Sequence, residues 1–252
     1  MDRAKAVRSL RQRLAGLVLP LPLEFGQEGA EKLSVNSQMR STLGVWPTWQ
    51  VVSPGRSGTR WLADLLKETS PHAILHAAAP TLAKIGYAVD QGALSSEAAW
   101  GAYLQSRMPI LAECEAHGVS LVDLDCKSSP LVETVLQKNY QCRALVMLRE
   151  PKAFIASGLA RGYFRSKAPL EWGHLSPLSI QDALQASPAI SLFDQASLVA
   201  HFWNRVAQTA ERAWRSFPSR VFLLNLGGLL VSREYAVVAL RSAGLSVSKR
   251  SI

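Results

Sequence analysis

Between Trp49 and Ala243, short apolar runs alternate with segments whose apolar residues recur at helical spacing. This alternation limits the possible folds more than any other feature of the chain. Trp49–Ser53, Ala73–His76, Val119–Leu124, Arg143–Leu148 and Val221–Asn225 read as strands, short and rich in β-branched or large apolar residues. Thr59–Glu68, the Ala-rich stretch 81–117, Pro130–Lys138, Lys152–Arg161, Leu198–Phe217 and Ser232–Ala243 read as helices. Strands that each hand over to a helix predict a parallel sheet covered on both faces. The expectation is a single α/β domain over 48–252, with a central parallel β-sheet flanked by helices in three layers. Ligands then bind where the carboxyl ends of the strands open into loops. Residues 166–190, rich in Ser, Pro and Leu, read as a loop or lid.

Residues 1–47 form a separate lead-in. Val7, Leu10, Leu14 and Leu17 fall at helical spacing among Arg3, Lys5, Arg8, Arg11 and Arg13, and Pro20 and Pro22 end the helix. This basic amphipathic segment, 1–19, fits a helix packed on the domain with a solvated basic face. It also fits peripheral contact with an anionic membrane, or a transit-like or docking segment. No apolar run approaches the ~20 residues that a membrane-crossing helix needs, and no apolar core with a cleavage site follows the basic start. Three cysteines, Cys114, Cys126 and Cys142, form no CxxC pair, and no His or Cys spacing implies a metal. A reduced, cytoplasmic protein is expected. Hydrophobic residues make up 48% of the chain, enough to exclude a mostly disordered polymer. The net charge of +9 favours anionic partners. The arginines fall at strand ends rather than along one stripe, and no basic–aromatic motif accompanies them, so nucleic acid is not an expected partner.

Val51-Val-Ser-Pro-Gly-Arg-Ser-Gly-Thr-Arg-Trp-Leu62 carries most of the chemistry. A strand enters a turn with two glycines, which permit backbone N–H groups to aim inward. The helix that follows adds unpaired N–H donors and a positive dipole end. Arg56 and Arg60 supply full charges, and Ser57 and Thr59 supply hydroxyls. The segment suits an anion of phosphate type. It lacks GxxxxGK[ST], so it is not a nucleotide triphosphatase loop. A second anion motif, Arg149-Glu-Pro-Lys-Ala-Phe-Ile-Ala-Ser157, follows the most apolar strand, with a guanidinium and a hydroxyl placed to share a phosphate.

Arg56 to Leu62 resembles the 5′-phosphosulfate loop of the PAPS-dependent sulfotransferases, whose pattern is close to P-[KR]-S-G-T-[TR]-W-L (PAPS is 3′-phosphoadenosine 5′-phosphosulfate). Arg149 to Ser157 resembles that family's 3′-phosphate motif, R-[DE]-P-x(5)-S. Cys126-Lys-Ser-Ser-Pro130 resembles the Lys-[ST]-Pro segment of many bacterial members. The resemblance runs in order over about residues 49–243. It departs from the family where many members read Tyr-Glu-Asp-Leu after a late strand, because here Asn225, Gly227 and Gly228 replace the polar residues. The resemblance implies a P-loop-like fold and a sulfotransferase that moves the sulfuryl group of PAPS to a hydroxyl or amine, releasing 3′,5′-adenosine bisphosphate. Arg56, Ser57, Gly58 and Thr59 would hold the 5′-phosphate and sulfuryl group, with Arg56 at the bridging oxygen. Arg60 would add an anion contact. Trp61 matches a position that stacks on adenine in some members and equally fits a helix core. Arg149 and Ser157 would hold the 3′-phosphate, with Arg161 and Arg165 as further contacts.

Proton removal from the acceptor needs a base within hydrogen-bond reach. His76 ends the second expected strand, where many members place a His or Glu, although His76-Ala-Ala-Ala-Pro80 lacks the acid found beside it in His-Glu-Pro. His72, Lys127, Asp125 and Asp123 are the other candidates, the last three being also suited to orienting acceptor or cofactor. His117, His174 and His201 read as surface or packing residues, His174 with a possible acceptor contact. Tyr87, Trp100, Tyr103, Tyr163, Phe164 and Trp172 either line the acceptor pocket or pack in the core. The acceptor class stays open among carbohydrate (glycan), lipid and small metabolite, and the sequence leaves the oligomeric state undetermined. The competing readings are a P-loop-type kinase, a basic nucleotide- or membrane-binding module without catalysis, and an inactive sulfotransferase relative.

Overall fold

A computed structural model describes residues 46–76, 82–90, 92, 94–164 and 192–248. The basic segment 1–19 and the lid-like stretch 166–190 lie outside the described residues. Five strands, β1 (Thr48–Val52), β2 (Ala73–Leu75), β3 (Leu121–Asp123), β4 (Cys142–Val146) and β5 (Val221–Leu223), form one sheet in the order β2-β3-β1-β4-β5. Every pairing is parallel, as the strand–helix alternation predicts. β1 is the hub, pairing Thr48–Gln50 with β3 and Thr48–Val52 with β4. The chain first builds outward from β1 to β2 and β3, then crosses to β4 and β5. The loops leaving β1 and β4 therefore open at the point where the order reverses, the place where sheets of this kind bind ligands.

The helices are α1 (Thr59–Thr69), α2 (Ala83–Asp90), α3 (Ser96–Ala116), α4 (Val132–Lys138), α5 (Pro151–Ala160), α6 (Leu192–Ser216), α7 (Leu226–Val231) and α8 (Arg233–Ser242). A 3₁₀ turn, Cys126–Leu131, precedes α4. The strands' period of two splits the core into two layers. Val52, Cys142, Ala144 and Val146 face a core that also holds Trp100, Tyr103, Phe154 and Phe202 from α3, α5 and α6. Val51, Leu145 and Met147 face the other, with Leu62 and Leu66 of α1 and Leu229, Ala236 and Leu240 of α7 and α8. No helix among the described residues is long and apolar enough to cross a membrane.

Several boundaries differ from the sequence expectation, among them the start of α6, which begins at Leu192 rather than Leu198. The Ala-rich stretch is two helices, because Ser95 accepts a hydrogen bond from the Ala98 amide at 3.2 Å and starts α3 afresh. A short helix, α7, follows β5, where Gly227 and Gly228 argue against one on propensity. Asn225 caps it, its side-chain oxygen accepting the Gly228 amide at 3.3 Å.

Trp100, Tyr103, Tyr163 and Phe164 pack in the core rather than line a pocket. Trp100 stacks on Tyr103 with centroids 5.6 Å apart, and Tyr163 and Phe164 meet Phe154 and Phe202 edge-on. Asp123 and Asp125 are likewise withdrawn from the candidate bases. Arg107, fully buried on α3, donates from Nε to Asp123 Oδ2 at 2.8 Å and from Nη2 to Asp125 Oδ2 at 3.2 Å. Asp125 also caps the 3₁₀ turn, accepting the Lys127 amide at 3.2 Å.

Candidate functional site

The loop after β1 is built from its own short-range bonds. Ser53 Oγ accepts the Gly55 amide at 3.1 Å, and the Ser57 hydroxyl donates to the Gly55 carbonyl at 3.0 Å. Gly55, Arg56 and Gly58 all take positive φ, at 76°, 53° and 80°. Two of these cost little because glycine has no Cβ. At Gly58 a Cβ would stand 2.7 Å from Leu226 Cδ1, so α7 closes directly over the cap of α1. Arg56 bears the left-handed conformation at a cost of about 1–2 kcal/mol. A third strut comes from the 3₁₀ turn. Ser129 Oγ accepts the Ser53 amide at 3.0 Å and lies 2.8 Å from the Cys126 carbonyl. Gln50, buried in β1, donates to the Ser128 carbonyl at 3.0 Å. The strained loop is thus held from below by the segment that Arg107 anchors.

At the rim, the two anion motifs meet. Arg56 Nε donates to Ser157 Oγ at 3.3 Å, across 101 residues of sequence. Arg149 Nη1 comes within 3.5 Å of the Arg56 carbonyl. Arg149 leaves the end of β4 half-buried, and its own carbonyl accepts the Trp203 indole N–H at 2.9 Å, a clamp supplied by α6. Glu150 caps α5 with both carboxylate oxygens, accepting the Lys152 amide at 3.0 Å and the Ala153 amide at 2.7 Å. Those amide bonds hold its carboxyl below the ordinary range. Ser157 sits on the second turn of α5, turned back to the loop.

On the β2 side, His76 stands at the strand's carboxyl end, with Nε2 3.3 Å from Thr59 Oγ1. Partial burial lowers its pKa from 6.5, and the charges of Lys67 and Arg60 lower it further against the pull of Asp64. The imidazole is therefore neutral at physiological pH, the form a base requires. Arg60 is exposed in the first turn of α1, and Trp61 is half-buried, resting against the core beneath α1. Ser57 is fully buried, its hydroxyl spent inside the loop, and Thr59 is nearly so. Lys127 is half-buried on the 3₁₀ turn beyond β3.

The structure brings Arg56, Gly58, Thr59, His76, Arg149 and Ser157 to one edge of the sheet. It takes His72 to the opposite edge, buried before β2, where Nε2 accepts the Ser246 amide at 3.1 Å and the ring lies 5.0 Å from Trp49. A groove of about 510 Å³ between Thr69 and Ser248 opens at that same far edge. His117 closes α3, with Nδ1 2.8 Å from the Glu113 carbonyl, and His201 is exposed on α6. Arg161 is exposed at the end of α5, while Arg165, Trp172 and His174 lie outside the described residues.

Sequence reading misses Arg107, Ser129 and Trp203. A lone arginine in an apolar helix, with two aspartates at one strand end, is the signal that would have found the first. The cysteines form no disulfide. Burial pushes the Cys126 thiol, 3.4 Å from where a Gly55 Cβ would stand, up to about 12. Among the described residues no group of three or more His, Cys, Asp or Glu is placed to hold a metal ion. No protein-family model, curated protein or solved structure matches the chain.

Proposed function

We propose that this protein is a PAPS-dependent sulfotransferase acting on a hydroxyl or amine. The observation that carries the reading is the 3.3 Å contact between Arg56 and Ser157. It joins the glycine loop after β1 to the Arg–Ser pair after β4, so both anion motifs face one crevice at the reversal of strand order. A nucleotide bearing phosphates on both the 5′ and 3′ positions needs two such clusters side by side. The loop amides and Arg56 take the 5′-phosphosulfate, and Arg149 with Ser157 takes the 3′-phosphate. Lys127 sits on the 3₁₀ turn that follows β3.

The sulfuryl group is already activated by its anhydride bond. The residues must align the acceptor in line with the sulfur and offset the charge that develops on the leaving phosphate. Arg56 serves the second task. His76 takes the acceptor proton from its place at the end of β2, and the Thr59 hydroxyl orients the ring. The cysteine pattern supports a cytoplasmic setting.

Calorimetry on the full chain tests the reading. 3′,5′-Adenosine bisphosphate binds at least about tenfold more tightly than adenosine 5′-monophosphate, the gain expected for one charge-assisted phosphate contact. Equal affinity for the two removes the reading, as does failure to transfer label from PAPS to any member of a broad acceptor panel.

A further inference from the structure

The two flanks of the loop are charged in different ways. On the β4 flank, Arg56, Arg149 and Ser157 are drawn together by mutual contacts. On the β2 flank the arrangement leaves one cation over. Arg60 is exposed in the first turn of α1, one residue beyond Thr59, whose hydroxyl meets His76 at 3.3 Å. Asp64 stands four residues on, the helical spacing for an ion pair with Arg60. Its carboxylate instead pairs with Lys67 at 3.6 Å. Arg60 has no acidic partner among the described residues. A guanidinium with five donors, beside the base and aimed into water, is a ready contact for a planar or tetrahedral anion.

On the sulfotransferase reading, on which this inference rests, we propose that Arg60 selects the acceptor, and that the acceptor carries an anionic group, a carboxylate or a sulfate ester, close to the hydroxyl or amine that is sulfated. Two considerations assign Arg60 to the acceptor rather than the nucleotide. The nucleotide's phosphates already have Arg56, Arg149, Ser157 and the loop amides. The side of the loop on which Arg60 stands is the side of the base, where the acceptor must lie.

In the transfer, the acceptor O–H or N–H gives its proton to His76, and the acceptor atom forms a bond to sulfur. The bond from sulfur to the bridging oxygen breaks, and its electron pair leaves with 3′,5′-adenosine bisphosphate. PAPS brings several negative charges to the crevice, so a negative acceptor is admitted only where a cation offsets them. Arg60 and Lys67 both lower the pKa of His76. An anion seated on Arg60 cancels one of these influences and restores basicity to the imidazole as the acceptor arrives.

The test uses the full chain with labelled PAPS and acceptor pairs that differ in charge. Suitable pairs are p-nitrophenyl glucuronide with the glucoside, 3-hydroxybenzoate with 3-hydroxybenzyl alcohol, and heparosan with its carboxyl-reduced form. A sulfated and an unsulfated oligosaccharide distinguish sulfate ester from carboxylate. In pairs that react, the charged member has the higher kcat/KM. Arg60→Ala raises its KM roughly 10- to 100-fold, the cost of a lost hydrogen-bonded charge, and abolishes the preference, while Arg60→Lys restores part of it. Affinity for 3′,5′-adenosine bisphosphate stays within about threefold of wild type, since no nucleotide contact is lost. A preference for uncharged acceptors overturns the proposal, as does a preference that survives Arg60→Ala. Loss of bisphosphate affinity in Arg60→Ala also overturns it, by placing Arg60 on the nucleotide. A wild-type protein that fails to bind the bisphosphate refutes the sulfotransferase reading instead, so the two failures are told apart.

Discussion

His76 is subject to opposed influences whose balance sets its chemistry. Burial and the charges of Lys67 and Arg60 lower its pKa from 6.5, and Asp64 raises it. The neutral imidazole therefore persists to lower pH than in a free histidine. On the proposed sulfotransferase reading, the acid limb of kcat/KM, which reports the free enzyme, falls below pH 6.5 for this reason. Bound anions act the other way, so the acid limb of kcat, which reports the ternary complex, lies at higher pH than that of kcat/KM. A pH–rate profile of both parameters checks the order, and a reversed order excludes His76 as the base. His76→Ala lowers kcat by roughly 10²-fold or more, the usual contribution of a general base, while bisphosphate affinity survives. His76 itself is legible from its place at the end of an apolar run. The Thr59 bond that orients it is not, because 17 residues and a whole helix separate the two.

At the scale of elements, the loop after β1 is only as well placed as the strut beneath it. Ser129 and Gln50 tie the loop and β1 to the 3₁₀ turn, and Arg107 neutralises the two carboxylates at that turn's start. Arg107→Met removes a cation from a fully buried cluster and leaves Asp123 and Asp125 facing each other without it. The expected cost is about 3–5 kcal/mol of unfolding free energy, read by urea denaturation. A loss under about 1 kcal/mol would show that the cluster is dispensable. The triple substitution of Arg107 and both aspartates by apolar residues recovers most of the loss, because no charge is then buried alone. The strands and most helices were legible because each carries a local period, whether the alternation in β1 or the spacing in α1. α7 was not, since two glycines hide a helix that Asn225 caps and that packing of Leu226 and Leu229 retains. The aromatic residues of α3 were ambiguous for the opposite reason. An apolar helix buried on most of its surface shows no polar face to reveal which residues a ligand could reach.

At the scale of the whole molecule, the strand order does what local motifs cannot. Gly55–Thr59 and Arg149–Ser157 lie some 90 residues apart, and only the parallel pairing of β1 with β4, five residues deep, makes them neighbours. The sequence shows both motifs, but their shared crevice follows from topology, which no single window of sequence contains. A ligand gripped by both motifs couples the two strands, and it binds the folded chain alone, because the unfolded chain cannot bring them together. At 100 times its dissociation constant, such a ligand adds about 2.7 kcal/mol to stability. For a chain of this size that amounts to a rise in Tm of roughly 5–11 °C. On the proposed sulfotransferase reading, 3′,5′-adenosine bisphosphate at that excess produces this shift. Adenosine 5′-monophosphate at the same concentration, bound at least about tenfold more weakly, produces about half of it or less, because it engages one cluster only. The net charge of +9 speeds the approach of anions, so on the proposed reading raising the salt lowers the bisphosphate on-rate and leaves its off-rate nearly unchanged. Arg149→Ala removes the difference between the two nucleotides in the same thermal assay, whereas a surface lysine such as Lys138, paired with Glu97 far from the rim, leaves it intact on substitution by Ala. Equal thermal shifts from both nucleotides in the wild-type protein would mean that the clusters act separately, and the shared crevice would then lose its functional meaning.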